Sequence, residues 1–213
     1  MEFERLLELI GDEPVFETAL LLAGQVTPDL VRLQLTRWTK GGRLYQLRRG
    51  LYALAPPYQK VKPHPFLVAN RMQRASYVSG ISALAFYGLI PDTVQITTSM
   101  SAGRPERRDT PLGVFEFRRI KPQLLRGYRM LPLGGGQQAL VAAPEKALLD
   151  LVYLQPGGDT REYLSELRLQ NLERLDMGAL HRQAEVFATP KLHRAVQVIA
   201  SLAQREAQEY EIL

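Results

Sequence analysis

"VTPDLVRLQLTRWTKGGRLYQLRRGLYAL", residues 26–54, runs from a helix start through a glycine stop into a short hairpin. Thr27 is a good N-cap, Pro28 suits the first helical turn, Asp29 favours the positive helix N-terminus, and Gly41–Gly42 end the element. At 100° per residue, Val31, Leu35 and Trp38 fall within about 60° of one another and form a core seam. Arg32, Thr36, Arg37 and Lys40 occupy the opposite arc, joined by Asp29. Leu33 also falls on that arc, so it touches an apolar feature of DNA or another domain, or the helix is rotated from this reading. In "GRLYQLRRGLYAL", residues 42–54, Leu44, Leu47, Leu51, Tyr52 and Leu54 can lie against a core. Arg48, Arg49 and Gly50 read as the turn between them, with Gly50 available for positive φ. A solvated basic face and a plain turn are the simpler alternatives.

Upstream, "FERLLELIG" places Phe3, Leu6, Leu7 and Ile10 on one stripe ending at Gly11, and "FETALLLAG" predicts a second short helix stopping at Gly24. Three helices followed by a hairpin is the chain order of a winged helix-turn-helix. In that fold the last helix enters the major groove and the hairpin lies over the phosphates. Arginine and lysine can bond guanine edges or phosphates, and threonine a phosphate or a thymine methyl.

The charge is distributed unevenly along the 213 residues. The net charge of +5 resolves into −5 over residues 1–28, +13 over 29–131 and −3 over 132–213. A basic block between two acidic ones suggests a surface facing a polyanion, with other surfaces left for other partners. There are no cysteines, hence no disulfide, thiolate zinc site or cysteine nucleophile. No apolar run is long enough to span a membrane, and the acidic, amphipathic N-terminus is unlike a signal peptide. A cytoplasmic location is expected.

"APPYQKVKPHP", residues 55–65, reads as a linker, with Lys60 and Lys62 available to follow phosphates. Beyond it, "PFLVANRMQRA" and "SGISALAFYGLI" predict two helices, the second capped by Ser79. "TVQITTSM", "GVFEFRRI" and "GYRMLPL" predict strands, with "SAGRPERRD" as a basic turn. From "APEKALLDLVYL" onward the pattern is helical, with Thr189 capping the last helix. The expected fold is α+β: a winged helix-turn-helix over residues 1–57, then a larger α+β domain over residues 58–213 that ends in helices. Arg104, Arg107 and Arg108 in the basic turn could extend a phosphate-binding surface, meet an acidic partner or simply be solvated.

Catalytic patterns are weak. "GISAL", residues 80–84, lacks the second glycine of a nucleophile elbow, so Ser82 reads as a packing residue. Glu145 and Asp150 lie about 140° apart on a helix, whereas Lys146 and Asp150 can pair at i, i+4 and Glu145 can favour the helix N-terminus. His64, His181 and His193 show no metal-ligand spacing. "GGGQQ", residues 134–138, lacks the residues of a phosphate cradle and reads as a turn. No catalytic residue, metal site or cofactor is expected.

Three blocks in order resemble the AbiEi family of antitoxins from bacterial type IV toxin–antitoxin and phage-defence systems: "LTRWTKGGRLYQLRRGLYAL", "SYVSGISALAFYGL" and "APEKALLDL". The likeness covers roughly residues 1–155; Trp38 stands where an aliphatic residue is usual, and the last 55 or so residues match no motif. The resemblance implies an N-terminal domain binding inverted repeats in its own promoter, with Arg32, Thr36, Arg37, Lys40, Arg43, Arg48 and Arg49 carrying contact. It also implies a C-terminal domain that counters a nucleotidyltransferase-type toxin. The expected protein is a transcriptional repressor acting as a homodimer or as paired monomers on double-stranded DNA. The alternatives are a free-standing regulator without a toxin, a nucleic-acid-processing enzyme using the winged helix for delivery, and an adaptor for an acidic protein partner.

Overall fold

The computed structural model describes residues 2–22 and 27–211. The chain opens with α1 (Phe3–Ile10), β1 (Phe16–Glu17), α2 (Thr18–Leu21), α3 (Pro28–Lys40), β2 (Leu44–Arg48) and β3 (Leu51–Leu54). Phe16 and Glu17, expected to start a helix, instead pair with Tyr52 and Leu51 of β3. The small antiparallel sheet has the order β1-β3-β2. A two-residue strand carries no alternation for a sequence to show; it exists because β3 offers it a free edge. The expected helix end at Gly24 lies outside the described residues. Gly50 takes φ +81° at the hairpin tip, as the turn requires. Phe3, Leu6, Ile10, Val31, Leu35, Leu44 and Tyr52 form the core of this first unit, and Trp38 and Tyr58 pack against it. The expected seam of α3 is therefore the buried one.

The second unit is a mixed six-stranded sheet with α4 (Pro65–Met72), α5 (Gly80–Phe86), α6 (Pro144–Leu154), α7 (Arg161–Glu166), α8 (Met177–Phe187) and α9 (Pro190–Glu211). Its strands are β4 (Tyr77–Val78), β5 (Ile96–Ser101), β6 (Glu106–Thr110), β7 (Gly113–Arg119), β8 (Tyr128–Gly134) and β9 (Gln137–Ala142), in the order β6-β7-β5-β4-β9-β8. The β5–β7 and β4–β9 pairs are parallel and the others antiparallel. The whole is a mixed α+β architecture.

Several local expectations need correction. "SAGRPERRD" is a turn only in its first part: β6 pairs in register with β7, Arg107 opposite Glu116 and Arg108 opposite Phe115. Its charges suit an edge strand, which one neighbour stabilises and which charge protects from further pairing. In "GGGQQ" all three glycines take positive φ, but only Gly135 and Gly136 form the turn: Gly134 ends β8, and Gln137 and Gln138 already belong to β9. The 55–65 stretch is held down, since the Gln137 side-chain amide accepts from the His64 N–H at 2.8 Å and donates to the Lys62 carbonyl at 3.0 Å. Thr27 occupies the N-cap of α3 and Ser79 that of α5, but neither side chain makes a capping bond. Thr189 precedes α9 with its hydroxyl unpaired. Ser82 is more than filler: its hydroxyl donates to the Ile96 carbonyl at 2.9 Å and accepts from the Thr98 N–H at 2.9 Å, tying α5 to β5.

The Ser79 hydroxyl goes to a different partner, and with it the second unit is organised. Lys146 and Asp150 pair across one turn of α6, as the spacing predicts, but both are buried, with side chains 2% and 0% exposed. Tyr77 Oη accepts from Lys146 Nζ at 2.8 Å and donates to Asp150 Oδ2 at 2.9 Å, while Ser79 Oγ donates to the same oxygen at 2.8 Å. The ammonium also lies over the Tyr77 and Phe187 rings. Burial, and then the Asp150 carboxylate, push the Tyr77 phenol up, so it stays a protonated donor. Gly127 (φ +76°) passes so close that a Cβ there would stand 3.2 Å from Lys146 Cγ. Glu145 is buried too, accepting from the Asp176 N–H at 2.8 Å and so fixing the start of α8. The pair thus joins β4 to α6 and touches α8.

Removing one member strands the other's charge in an apolar interior. Lys146→Met should lower the unfolding free energy by about 3–5 kcal/mol, read as a lower urea midpoint at unchanged slope. A loss within 0.5 kcal/mol, the ordinary range for surface changes, would show that the pair is not a structural keystone.

Candidate nucleic-acid interface

Because Val31 and Leu35 turn inward, α3 presents Arg32, Leu33, Thr36, Arg37 and Lys40 to solvent, with Asp29 at its start. Arg32 Nη1 donates to Asp29 Oδ1 at 2.9 Å, and the Thr36 hydroxyl donates to the Arg32 carbonyl at 2.8 Å. Arg37 and Lys40 sit in the last turn, where cations also favour the helix C-terminus. Arg43 follows directly, exposed, with its guanidinium 5.0 Å from the Phe3 ring centroid. Exposed cations therefore stand on the outward face of α3 and on the residue just before β2.

The hairpin divides the two arginines expected to act together. Arg49 is exposed at the tip. Arg48 is turned back into the molecule, its side chain 26% exposed. Its Nη2 donates to the Arg71 carbonyl at 3.1 Å and lies 3.5 Å from Glu17 Oε1, and its Nη1 donates to the Arg49 carbonyl at 3.0 Å. Arg71 lies in the last turn of α4, so Arg48 satisfies one of the carbonyls a helix end leaves open. Arg48 is thus corrected from a free tip cation to a bridge between the units.

Glu17 is the shared anion of that bridge. Arg74 Nη2 donates to Glu17 Oε2 at 2.7 Å, and this bond, with Arg48 and Arg71 nearby, holds the carboxyl below its ordinary range. Because the folded-state value is lowered, the stability Glu17 contributes is present above the ordinary carboxylate range. It is lost as pH falls through the lowered value. Val15, Leu47, Leu51 and Ala53 add apolar contact by joining the large core of the second unit.

The further phosphate-contact candidates are not equivalent. Lys60 stands 3.5 Å from Asp12, and Lys62 is exposed. Arg104 and Arg107 are exposed, whereas Arg108 is half-buried and pairs with Glu106 at 2.5 Å. Since β2 packs against β6, the edge carrying Arg107 lies beside the hairpin. His64, expected to be isolated from any ligand set, accepts from the Phe66 N–H at 3.1 Å through Nδ1, and burial holds its pKa below the usual value. Among the described residues, no group of three or more His, Cys, Asp or Glu is placed to hold a metal ion. No described helix is long and apolar enough to cross a membrane.

Two residues of this surface escape the sequence reading. Leu30 is exposed like Leu33 and lies one turn before it, a position the helical wheel already contains. Glu17 could be found only from the fold, because its partners lie 31 and 57 positions away along the chain.

No family model matches the chain, and no curated protein does. Among solved structures, it is similar to the crystal structure of the RV2827C protein from Mycobacterium tuberculosis. The likeness has a TM-score of 0.56 at 19% identity and covers 93% of this chain and 76% of that one. At this identity the likeness concerns the fold alone.

The two arginines should part in a stability measurement. Arg48→Ala should lower the unfolding free energy by roughly 1.5–3 kcal/mol, the worth of hydrogen bonds from a charged group. Arg49→Ala should leave it within about 0.5 kcal/mol. Equal values by chemical denaturation would contradict the bridge.

Proposed function

We propose that the protein is a DNA-binding transcriptional repressor whose first unit is a winged helix-turn-helix. The reading is carried by one observation: the outward face of α3 and the residues that follow it gather Arg32, Arg37, Lys40, Arg43 and Arg49 on exposed positions around one helix and one hairpin. The order helix, strand, helix, helix, hairpin with a β1-β3-β2 sheet supports it, because three helices followed by a hairpin is the chain order of a winged helix-turn-helix. Repression needs no chemistry, since a protein seated on a promoter blocks polymerase. Affinity would come largely from phosphate contacts and counterion release, and sequence choice from α3. Inverted repeats would be met by a dimer or by two monomers side by side. Arg107 on β6, beside the hairpin, and Arg104 just before that strand would lengthen the phosphate track. Activity as antidote to a nucleotidyltransferase-type toxin is the second half of the proposal and rests on the AbiEi-like blocks. Its check is survival of cells expressing such a toxin from a neighbouring gene, with and without this chain.

Fluorescence anisotropy with labelled duplexes over a salt series tests the DNA half. Arg49→Ala should weaken binding to every sequence and flatten the slope of log affinity against log salt by about one unit. Arg37→Ala should instead cost about 1–3 kcal/mol on preferred sequences and less on others, if it contacts a base edge. A salt-independent wild-type affinity would end the proposal.

A further inference from the structure

We infer that Leu33, assisted by Leu30, reads thymine methyl groups in the major groove. The inference rests on the DNA-binding reading above and specifies which base that surface favours. Leu30 and Leu33 are 59% and 46% exposed, so two large apolar side chains stand in water on the face that otherwise carries charge. On the wheel Leu33 lies within about 60° of Thr36, Arg37 and Leu30, so whatever meets Arg37 meets Leu33 as well.

A phosphate does not suit either leucine, because covering an anionic oxygen with a methyl group removes its water and returns no hydrogen bond. The major-groove edges of the four base pairs carry one apolar feature, the C5 methyl of thymine. The charges along α3 set the same orientation. Asp29, at the start of the helix, would be repelled by a phosphate and is held by Arg32, whereas Lys40 and Arg43 lie at and just beyond the helix end. Phosphate anchoring thus falls to the C-terminal end of α3, and the first turns, with both leucines, face the base edges. Burying a leucine against a methyl removes apolar surface from water on both partners, which makes the contact favourable as well as selective.

The test uses the full chain and a duplex selected by it from a random pool. Each thymine of the selected duplex is replaced in turn by deoxyuridine, which removes the methyl and leaves every hydrogen-bonding edge in place. For the wild type, at least one replacement in each half-site should weaken binding about fourfold, the worth of one buried methyl-sized group. L33A should bind more weakly and lose sensitivity at that position. Tight selected binding indifferent to every uracil replacement would overturn the inference while leaving the DNA reading standing. So would L33A that keeps the full uracil effect. A change in sedimented mass in L33A without any uracil effect in the wild type would assign the leucine to a contact between copies and equally overturn it. Failure to select any duplex would bring down the DNA reading, and this inference with it.

Discussion

Burying an ammonium and a carboxylate side by side is worthwhile only where every remaining proton and lone pair is met, because each charge loses its water. In this protein Tyr77 and Ser79, in and just after β4, the shortest strand of the large sheet, partner Lys146 and Asp150, and the ammonium also faces the Tyr77 and Phe187 rings. The cluster therefore holds the middle of the sheet and the first long helix after it in one relative position. Tyr77 stacks on Tyr128 of β8 with centroids 4.5 Å apart, and Glu145 reaches from the same helical turn to the start of α8. Sheet, α6 and α8 are fixed together through six neighbouring side chains.

That rigidity matters for the first unit because the two units share more than a linker. The hairpin sends Leu47, Leu51 and Ala53 into the larger core, and Arg48 closes the end of α4 while facing Glu17. The hairpin that follows α3 is consequently held beside β6 and its exposed Arg107. On the proposed function, a binding surface carried by the first unit is oriented by the second. A change in the second unit would then be felt at the DNA without passing through a flexible tether.

On the proposed function, the surface of α3 would also separate affinity from selectivity. Lys40 and Arg43, at and after the C-terminal turn, would supply attraction to any duplex, while the earlier turns carry an internally paired Asp29 and Arg32 beside two exposed leucines. Phosphate contacts would then set how tightly nucleic acid is held, and the groups that meet base edges would set which sequence is preferred.

The sequence was most informative where the signal is local. Residues 28–40 read correctly as a helix with its core seam at Val31 and Leu35, because helical periodicity and the flanking proline and glycines act within one element. The Lys146–Asp150 pair was likewise visible as an i, i+4 spacing. Strands of two residues, the charged edge strand β6 and the tied-down 55–65 stretch were not legible, since each is defined by a partner far along the chain. For the same reason one arginine of "RR" became a bridge and the next stayed free. Their chemistry is identical, and the difference is that Glu17 and the end of α4 lie within reach of Arg48 alone. Composition and periodicity determined which residues would be charged and exposed around α3. Only the packing of one unit against the other decided which of those charges remained available to a partner, because an ion pair forms wherever the fold brings its two members together.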